Sequence, residues 1–329
     1  MHYAKSTALS DSRLMIFDII CPTMMKTSYY FPETILTNEK LVEFYPDWTA
    51  EKIFSKTGIV ARPVALNGES ALDLAERAAK VLFVSYGIRP DSVDFLLLCT
   101  QSGEYKLPSS ACLLQNRLGI PKSVGALAFD HGCSGFVYGL SLAKGLIAGG
   151  MAKNVLLVTA ETYSKYITPD DKSTRTIFGD GAAAVLIDES EASKIGAFSF
   201  GTDGAGAEKL IVRDGKLFMD GPEIFNFTLD IVPKTIEDIL SKSGLTRDDI
   251  DLYVFHQANK FMLDSIRKIN GLPRDKFYVN LETTGNTVSS TIPIALKQLE
   301  DLGRLHPGMK VMLMGFGVGL SWGATIITI

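Results

Sequence analysis

One cysteine of this sequence lies where a reactive thiol could form. Cys133 follows an apolar stretch, GALAFD (125–130), and precedes FVYGLSLAKGLIAGG (136–150), which has a helical pattern. We predict a strand, a tight turn and a helix. The thiol would lie at the helix N-terminus, where free amides and the helix dipole favour a thiolate and can hold an oxyanion. The alternative is a small packed side chain, because free cysteines are often buried.

Two further polar residues could complete a site for acyl chemistry. His256 follows the apolar stretch LYVF (252–255), and Asn286 begins a run of small polar residues that leads into a helix near Pro293. Beside a cysteine nucleophile, a histidine can act as a base or donor and an asparagine as a donor. Each residue also has a structural alternative: His256 could be a packed histidine, and Asn286 could be a turn or N-cap residue. The remaining histidines lie in less suitable settings: His2, His131 and His306.

The elements that position these residues form a weak internal repeat. The stretches YGIRPDSVDFLLLCTQ (86–101) and SGLTRDDIDLYVFHQA (243–258) share one Gly and two Asp residues at matching places, and each follows an amphipathic helical pattern. Each copy predicts a helix, a glycine stop, a short turn and a buried strand. Alternating helices and apolar strands indicate an α/β architecture with buried sheets, in two similar halves whose strand ends meet around one site.

We divide the chain into three segments. Residues 1–22 are expected to be a loosely attached extension, which is not a signal peptide because Asp18 interrupts its apolar run. Residues 23–190 form the half that carries the cysteine, and residues 191–329 form the half that carries the histidine and the asparagine.

The composition argues against several classes of protein. The chain has 329 residues, is 46% hydrophobic and carries a net charge of −4, which predicts a folded protein and gives no indication of nucleic-acid binding. Its four cysteines form no disulfide or zinc pattern, so we expect a reducing, cytoplasmic location and no metal site. The longest apolar runs have the length of strands, so we expect no membrane span.

Together the motifs resemble those of the β-ketoacyl-acyl carrier protein synthase III family, which belongs to the thiolase-like condensing enzymes. The resemblance covers roughly residues 24 to 329, and its segments stand in the order and approximate spacing of that family. These segments are KTGI (56–59), LPSSACLLQNRLGI (107–120), HGCSGFVYGL (131–140), FGDGAAAVLI (178–187), HQAN (256–259), TTGNTVSSTIPIAL (283–296) and GFGVGLSWG (315–323).

The resemblance implies a five-layered αβαβα fold and a condensation in two steps. Cys133 would take an acyl group from acyl-CoA as a thioester, and malonyl-acyl carrier protein would then bind. His256 and Asn286 would donate hydrogen bonds to the malonyl thioester oxygen as CO₂ leaves, and the enolate would attack the acyl group. The family needs no metal or redox cofactor and is usually a homodimer. We expect the same here, in fatty acid or related acyl-chain biosynthesis.

The same resemblance implies which residues form the oxyanion hole and the acyl pocket. The oxyanion hole would use amides at Cys133, Gly317 and Val318, although Val318 replaces a glycine of the family pattern. The acyl pocket would be formed by Phe316 and by Leu107, which reaches across the dimer. Because Leu107 stands where the family often has Phe, we expect a longer or branched acyl group.

Basic residues are expected to bind CoA or the acidic carrier protein. Several family positions of this kind differ here, so the natural acyl donor need not be acetyl-CoA. We expect the cations of the helix after HQAN to share one face, with apolar residues on the other; an ordinary solvated face is the alternative. The basic residues expected to bind are Lys56 and Lys172, together with Lys260, Arg267 and Lys268 of this helix. The apolar residues of the helix are Phe261, Met262, Ile266 and Ile269.

Two other functions use a similar set of residues, and a third keeps only the fold. A Cys-His-Asn hydrolase would let water reach the acyl-enzyme. A related acyltransferase would move the acyl group to an alcohol or amine without malonyl decarboxylation, and release of CO₂ separates it from a condensing enzyme. A non-catalytic partner subunit would be expected to lack Cys133, His256 or Asn286, and all three are present.

Overall fold

The structure is a computed structural model that describes residues 25–329. The predicted extension, 1–22, lies outside the described residues. Within 25–329, no helix is long and apolar enough to cross a membrane. The chain passes from the first sheet to the second close to residue 190, and the division of the chain at that point stays a prediction.

The strands are short and mostly apolar. The first half contains β1 (Lys26–Tyr30), β2 (Ile35–Thr37), β3 (Ala61–Pro63), β4 (Phe95–Cys99), β5 (Gly125–Phe129), β6 (Val155–Glu161) and β7 (Gly181–Ile187). The second half contains β8 (Ile195–Thr202), β9 (Leu210–Arg213), β10 (Lys216–Met219), β11 (Leu252–Phe255), β12 (Lys310–Gly317) and β13 (Ser321–Thr328).

The α-helices alternate with these strands. They are α1 (Asn38–Val42), α2 (Ala50–Thr57), α3 (Ala71–Tyr86), α4 (Ser110–Arg117), α5 (Gly135–Ala148), α6 (Lys172–Arg175), α7 (Glu189–Lys194), α8 (Gly221–Ser243), α9 (Lys260–Ile269) and α10 (Thr291–Asp301).

Two mixed sheets carry the fold. In the first, the strand order is β1-β7-β6-β4-β5; β4 runs parallel to β5 and β6, and β7 runs antiparallel to β1 and β6. In the second, the order is β8-β13-β12-β11, and only the pair of β11 and β12 is parallel. Where the first sheet has β5, the second has a single parallel bridge between Tyr253 and Phe277. The two halves therefore repeat one topology.

Local geometry confirms the repeat predicted from the sequence. Gly87 and Gly244 end α3 and α8 in the left-handed conformation, with φ angles of 61° and 64°. In each half a short 3-10 helix then leads into β4 or β11. Asp94 and Asp251, which precede those strands, each accept a backbone hydrogen bond at the start of the neighbouring strand, at 2.9 and 2.8 Å. Equivalent residues of the two copies therefore make equivalent contacts.

Helices α5 and α10 lie between the two sheets. Helix α5 contacts β4 and β6 on one side and β12 and β13 on the other, while α10 contacts β1, β7 and β11. Helices α3 and α4 cover the outer face of the first sheet, and α8 covers the second with α9 packed beside it. This arrangement has the five layers of the αβαβα fold, and it confirms the expected architecture.

The central helix α5 approaches β6 closely because it carries a glycine. A Cβ atom at Gly139 would lie 2.6 Å from Cδ1 of Leu157, which is fully buried in β6. Gly145 of the same helix has open space around its Cα. A side chain at Gly139 would clash with β6, whereas a side chain at Gly145 would only change the helix propensity. Substitutions at these two positions therefore distinguish the two effects.

We predict opposite effects for alanine at these two glycines. Gly139→Ala should destabilise the protein by about 1–3 kcal/mol, because the buried leucine cannot move aside without strain. Gly145→Ala should be neutral or stabilise by up to about 1 kcal/mol, because alanine is the better helix former. Urea unfolding of both variants measures the difference, and equal stabilities would contradict the close approach of α5 to β6.

Candidate active site

Cys133 lies in the predicted turn between β5 and α5, and only 6% of its surface is exposed. Glycines of β12 pass directly over it. A Cβ at Gly315 would lie 2.4 Å from the carbonyl oxygen of Cys133, and one at Gly317 would lie 2.9 Å from its Sγ. The glycines of GFGVG are therefore required for the second half of the chain to reach the cysteine.

The structure corrects the expectation that the helix terminus yields a thiolate. Burial raises the pKa of Cys133 to about 12, with the nearby carboxyl of Glu161 acting in the same direction. Hydrogen bonds to the backbone at Cys133 and Val318 act in the opposite direction. The N–H of Gly135 donates to the carbonyl of Gly132 at 2.8 Å, so it is not directed at the sulfur. Cys133 is a thiol at neutral pH in this state.

His256 leaves the end of β11 and is almost fully buried. Burial lowers the pKa of His256 to about 3, so its ring is neutral. Its Nδ1 lies 2.8 Å from Oγ1 of Thr291, which is also within 3.1 Å of the carbonyl of Val288. Because a hydroxyl can donate or accept, Thr291 supports either neutral tautomer of the ring and fixes its orientation.

Asn286 is held by the backbone of the first half. Its N–H donates to the carbonyl of Ile177 at 2.9 Å, and its carbonyl accepts from the N–H of Gly179 at 3.0 Å. Its side-chain Oδ1 accepts from the N–H of Val288 at 2.8 Å, which leaves Nδ2 turned toward Nε2 of His256 at 3.4 Å. That separation is long for a hydrogen bond, so both nitrogens remain able to contact an oxygen atom of a substrate.

The three predicted residues meet in one cavity. Cys133, His256 and Asn286 line a space of about 110 Å³ between the two halves. Its other walls are mostly apolar, and they include Ile177, Phe178, Met219, Ile224, Met262 and Phe316. Phe316 also packs edge-on against His256, with ring centroids 5.7 Å apart. The cavity is therefore suited to a thioester that must be kept away from water.

A second cavity of about 360 Å³ adjoins the first and was not predicted from the sequence. Leu210 lines both cavities, and Leu217 and Val318 line the second. Gln101 and Tyr163, whose side chains are hydrogen-bonded to each other, add polar groups to its wall. Their positions carry no sequence signal, because they come from loops that meet only in the fold.

The predicted oxyanion and pocket residues are only partly brought together. Phe316 and Gly317 line the cavity of Cys133, and Val318 lines the second cavity. Leu107 is 87% exposed and lines neither cavity of its own chain. Its expected place in the acyl pocket therefore depends on a second copy of the chain.

Two of the predicted basic residues lie outside the cavities. Lys56 is exposed and lines neither the Cys133 cavity nor the second one. Lys172 forms an ion pair with Asp47 at 2.5 Å and lies 5.7 Å from the ring of Tyr45. A ligand of Lys172 would therefore have to compete with Asp47.

The cations of α9 lie in different surroundings, and their single shared face stays a prediction. Lys260 and Arg267 line a groove of about 670 Å³, whereas Lys268 is exposed outside it. The apolar face was predicted wrongly in part: Phe261 and Ile269 are 62% and 58% exposed, although Met262 and Ile266 are buried as expected. Phe261 remains outside the core because it stacks on Phe225, at 5.3 Å between centroids.

Comparison with known protein families gives matches in both halves of the chain. Residues 129–204 match the family described as 3-oxoacyl-[acyl-carrier-protein] synthase III, and residues 240–329 match the C-terminal region of that synthase. Within the described residues, no cluster of three or more His, Cys, Asp or Glu side chains could hold a metal ion.

Individual proteins resemble the chain over nearly its whole length. A β-ketoacyl-[acyl-carrier-protein] synthase III of Streptococcus pyogenes is 36% identical, covering 94% of this chain and 100% of that protein. One of Caldanaerobacter subterraneus subsp. tengcongensis is 34% identical, covering 94% and 98%. A crystal structure of a 3-oxoacyl-(acyl-carrier-protein) synthase III is 48% identical, with a TM-score of 0.89 over 92% of this chain and 98% of that one.

The protonation state of Cys133 can be tested directly. Because burial raises its pKa to about 12, alkylation of Cys133 by iodoacetamide should still accelerate as the pH is raised through 10. Mass spectrometry of the peptide that contains Cys133 measures the rate at each pH. A rate that stops rising between pH 7 and 9 would show that a thiolate forms in the free protein.

Proposed function

We propose how this chain, which belongs to the β-ketoacyl-[acyl-carrier-protein] synthase III family, joins an acyl-CoA primer to malonyl-acyl carrier protein. The observation that carries the proposal is the cavity shared by Cys133, His256 and Asn286. Nδ1 of His256 is hydrogen-bonded to Thr291, and Oδ1 of Asn286 accepts from the N–H of Val288. Nε2 of His256 and Nδ2 of Asn286 are left to face the cavity of Cys133.

In the first step, the sulfur of Cys133 attacks the carbonyl carbon of acyl-CoA. A new thioester bond forms, the bond to the CoA sulfur breaks, and the proton of Cys133 ends on the departing CoA thiol. Because Cys133 is a thiol in the free site, this proton must leave as the new bond forms. Nε2 of the neutral His256 is the basic atom that the cavity offers for the transfer.

In the second step, malonyl-acyl carrier protein loses CO₂. The bond between the carboxyl carbon and the α-carbon breaks, and its electron pair moves toward the thioester oxygen. We propose that Nδ2 of Asn286 and Nε2–H of His256 donate to this oxygen. For this step the ring takes the tautomer with the proton on Nε2, and the Thr291 hydroxyl turns from the Val288 carbonyl to donate to Nδ1. The α-carbon then attacks the acyl group on Cys133, the bond from the acyl carbon to the sulfur breaks, and the thiolate takes up a proton from solvent, so that each turnover consumes one proton. None of these steps calls for a metal or redox cofactor.

A homodimer would complete the acyl pocket. β5 is an edge strand that pairs only with β4 in the described sheet, and the apolar side chain of Leu127 on it is 46% exposed. Leu107, Leu142 and Phe200 are also exposed. An uncovered edge with exposed apolar side chains favours pairing with another chain. We propose that a second copy covers this surface and that Leu107 then closes the primer pocket formed by the second cavity.

The carrier protein is proposed to approach from the side of α9. Carrier proteins of this type are acidic, and the groove beside α9 has more cations than carboxylates: Lys260, Arg267, Arg274 and Arg304 against Asp264, Asp275 and Glu282. Asn259 and Met262, at the start of α9, line the cavity of Cys133. A carrier protein docked on α9 would therefore deliver its thioester to the cysteine. Because Cys133 must stay reduced, we place the reaction in the cytoplasm.

We predict that Asn286 is needed for only one of the two half-reactions. Cys133→Ala should abolish loading with acyl-CoA, measured as a mass increment on the intact protein. Asn286→Ala and His256→Ala should each slow the release of ¹⁴CO₂ from labelled malonyl-acyl carrier protein by about 10²-fold or more, since each removes an oxyanion donor. Asn286→Ala should still load normally. Decarboxylation at the wild-type rate in Asn286→Ala, or no release of CO₂ by the wild type, would contradict the proposed function.

We further predict that Leu107 influences the length of the primer. Leu107→Phe should shift the preference among acyl-CoA donors toward shorter chains, because each buried methylene contributes about 0.8 kcal/mol. Leu302→Phe is the matched control, since Leu302 is exposed at the end of α10, and its preference should not change. Competition between straight and branched acyl-CoA donors measures the effect. A wild-type enzyme that accepts only acetyl-CoA would contradict this role.

A further inference from the structure

Glu161, at the end of β6, is fully buried and has no part in the steps described above. Its carboxyl group accepts hydrogen bonds from three donors. The N–H of Gln101 lies 3.1 Å from each oxygen, Oγ of Ser102 lies at 2.8 Å, and Oγ of Ser289 lies at 3.1 Å. Ser289 belongs to the second half of the chain and the other residues to the first, so this carboxyl group connects the two halves.

The contact with Ser289 bears directly on the active site. Ser289 is three residues after Asn286, in the same buried segment. The next residue, Ser290, lies 2.8 Å from Oγ1 of Thr159, which is also on β6. The end of β6 thus fixes the segment that presents the Asn286 amide to the substrate. Removing the Glu161 contact would release one of the two side-chain links between this segment and β6.

The charge of the same carboxyl group also opposes the ionisation of Cys133. It is the second cause, after burial, of the raised pKa of Cys133. Burial also raises the pKa of Glu161 to about 8, so it gains its full charge only in alkaline solution. The other titratable groups around it are Cys99, Tyr163, Tyr166 and Asp180.

We propose that Glu161 is a positioning residue of the condensation, which holds the Asn286 segment against the first half. As a secondary effect, its charge opposes the loss of the Cys133 proton. Its position explains why an acidic side chain is kept among apolar strands, where an unneeded carboxyl group would only cost stability. The effect on decarboxylation rests on the proposed function, whereas the effect on Cys133 can be measured without any substrate.

Two variants separate the two roles. Glu161→Gln keeps the shape but removes the charge, and it turns an amide N–H toward groups that are themselves donors. Ser289→Ala removes one hydrogen bond and keeps the charge. Both variants should slow CO₂ release from malonyl-acyl carrier protein by about tenfold or more. Both should retain loading of Cys133 with acyl-CoA at pH 7.

Alkylation of Cys133 by iodoacetamide tests the electrostatic role. At pH 6.5, Glu161→Gln and the wild type should react at the same rate, because the carboxyl group is then uncharged. At pH 9.5, Glu161→Gln should react about tenfold faster, because it lacks the carboxylate charge that opposes the loss of the Cys133 proton. Ser289→Ala should follow the wild type at both pH values. All the other titratable groups are unchanged in these variants.

Specific results would overturn the proposal. Equal alkylation rates of Glu161→Gln and the wild type at pH 9.5 would exclude the electrostatic role. Equal proportional losses of loading and of CO₂ release would show a general structural role instead.

If Glu161→Gln does not fold, Glu161→Asp replaces it. Glu161→Asp should be alkylated at the wild-type rate at both pH values and should release CO₂ more slowly than the wild type. Release of CO₂ at the wild-type rate by this variant would exclude the positioning role of Glu161. If the wild type releases no CO₂, the proposed function fails while the alkylation result still decides the charge effect.

Discussion

The active site depends on polar contacts that cross a buried interface between two similar halves. Ser134 in the cysteine turn meets Ser321 of β13 at 2.8 Å, and Ser290 meets Thr159 of β6 at the same distance. Each buried polar group left without a partner would cost about 1–3 kcal/mol. A shift of one half against the other would therefore leave such groups unpaired. The register in which they pack brings the cysteine of one half against the histidine and asparagine of the other.

The same burial determines the charge state of the reacting groups. His256 is neutral and Cys133 is protonated because the surrounding side chains are apolar and hold little water. Such a site opposes any stable charge, including that of a malonyl carboxylate. Loss of the carboxylate as neutral CO₂ removes a charge from this environment. The charge that develops on the thioester oxygen meets fixed donors, which act more strongly in a dry cavity than in water.

Much of the fold and the three central residues could be predicted from the sequence, because their signals are local. The repeat can be recognised from its glycine stops and apolar strands. The cysteine turn can be recognised because its residues are contiguous in the sequence. Glu161 and Thr291 were missed because their partners lie far away along the chain. The thiolate was expected wrongly because burial outweighs the helix terminus. Neither the exposure of Leu107 nor that of Phe261 follows from helical or strand periodicity.

One departure from the family pattern is Val318, which places a side chain beside Cys133 where the family pattern has a glycine. A Cβ at Gly132 would lie 2.5 Å from Cγ1 of Val318, so the valine fills the space that this glycine leaves beside Cys133. Val318 also lines the second cavity. A glycine in its place would leave this wall open. The valine therefore forms part of the wall of the proposed primer pocket, while Gly317, which passes over the sulfur, allows the close approach of β12 to Cys133.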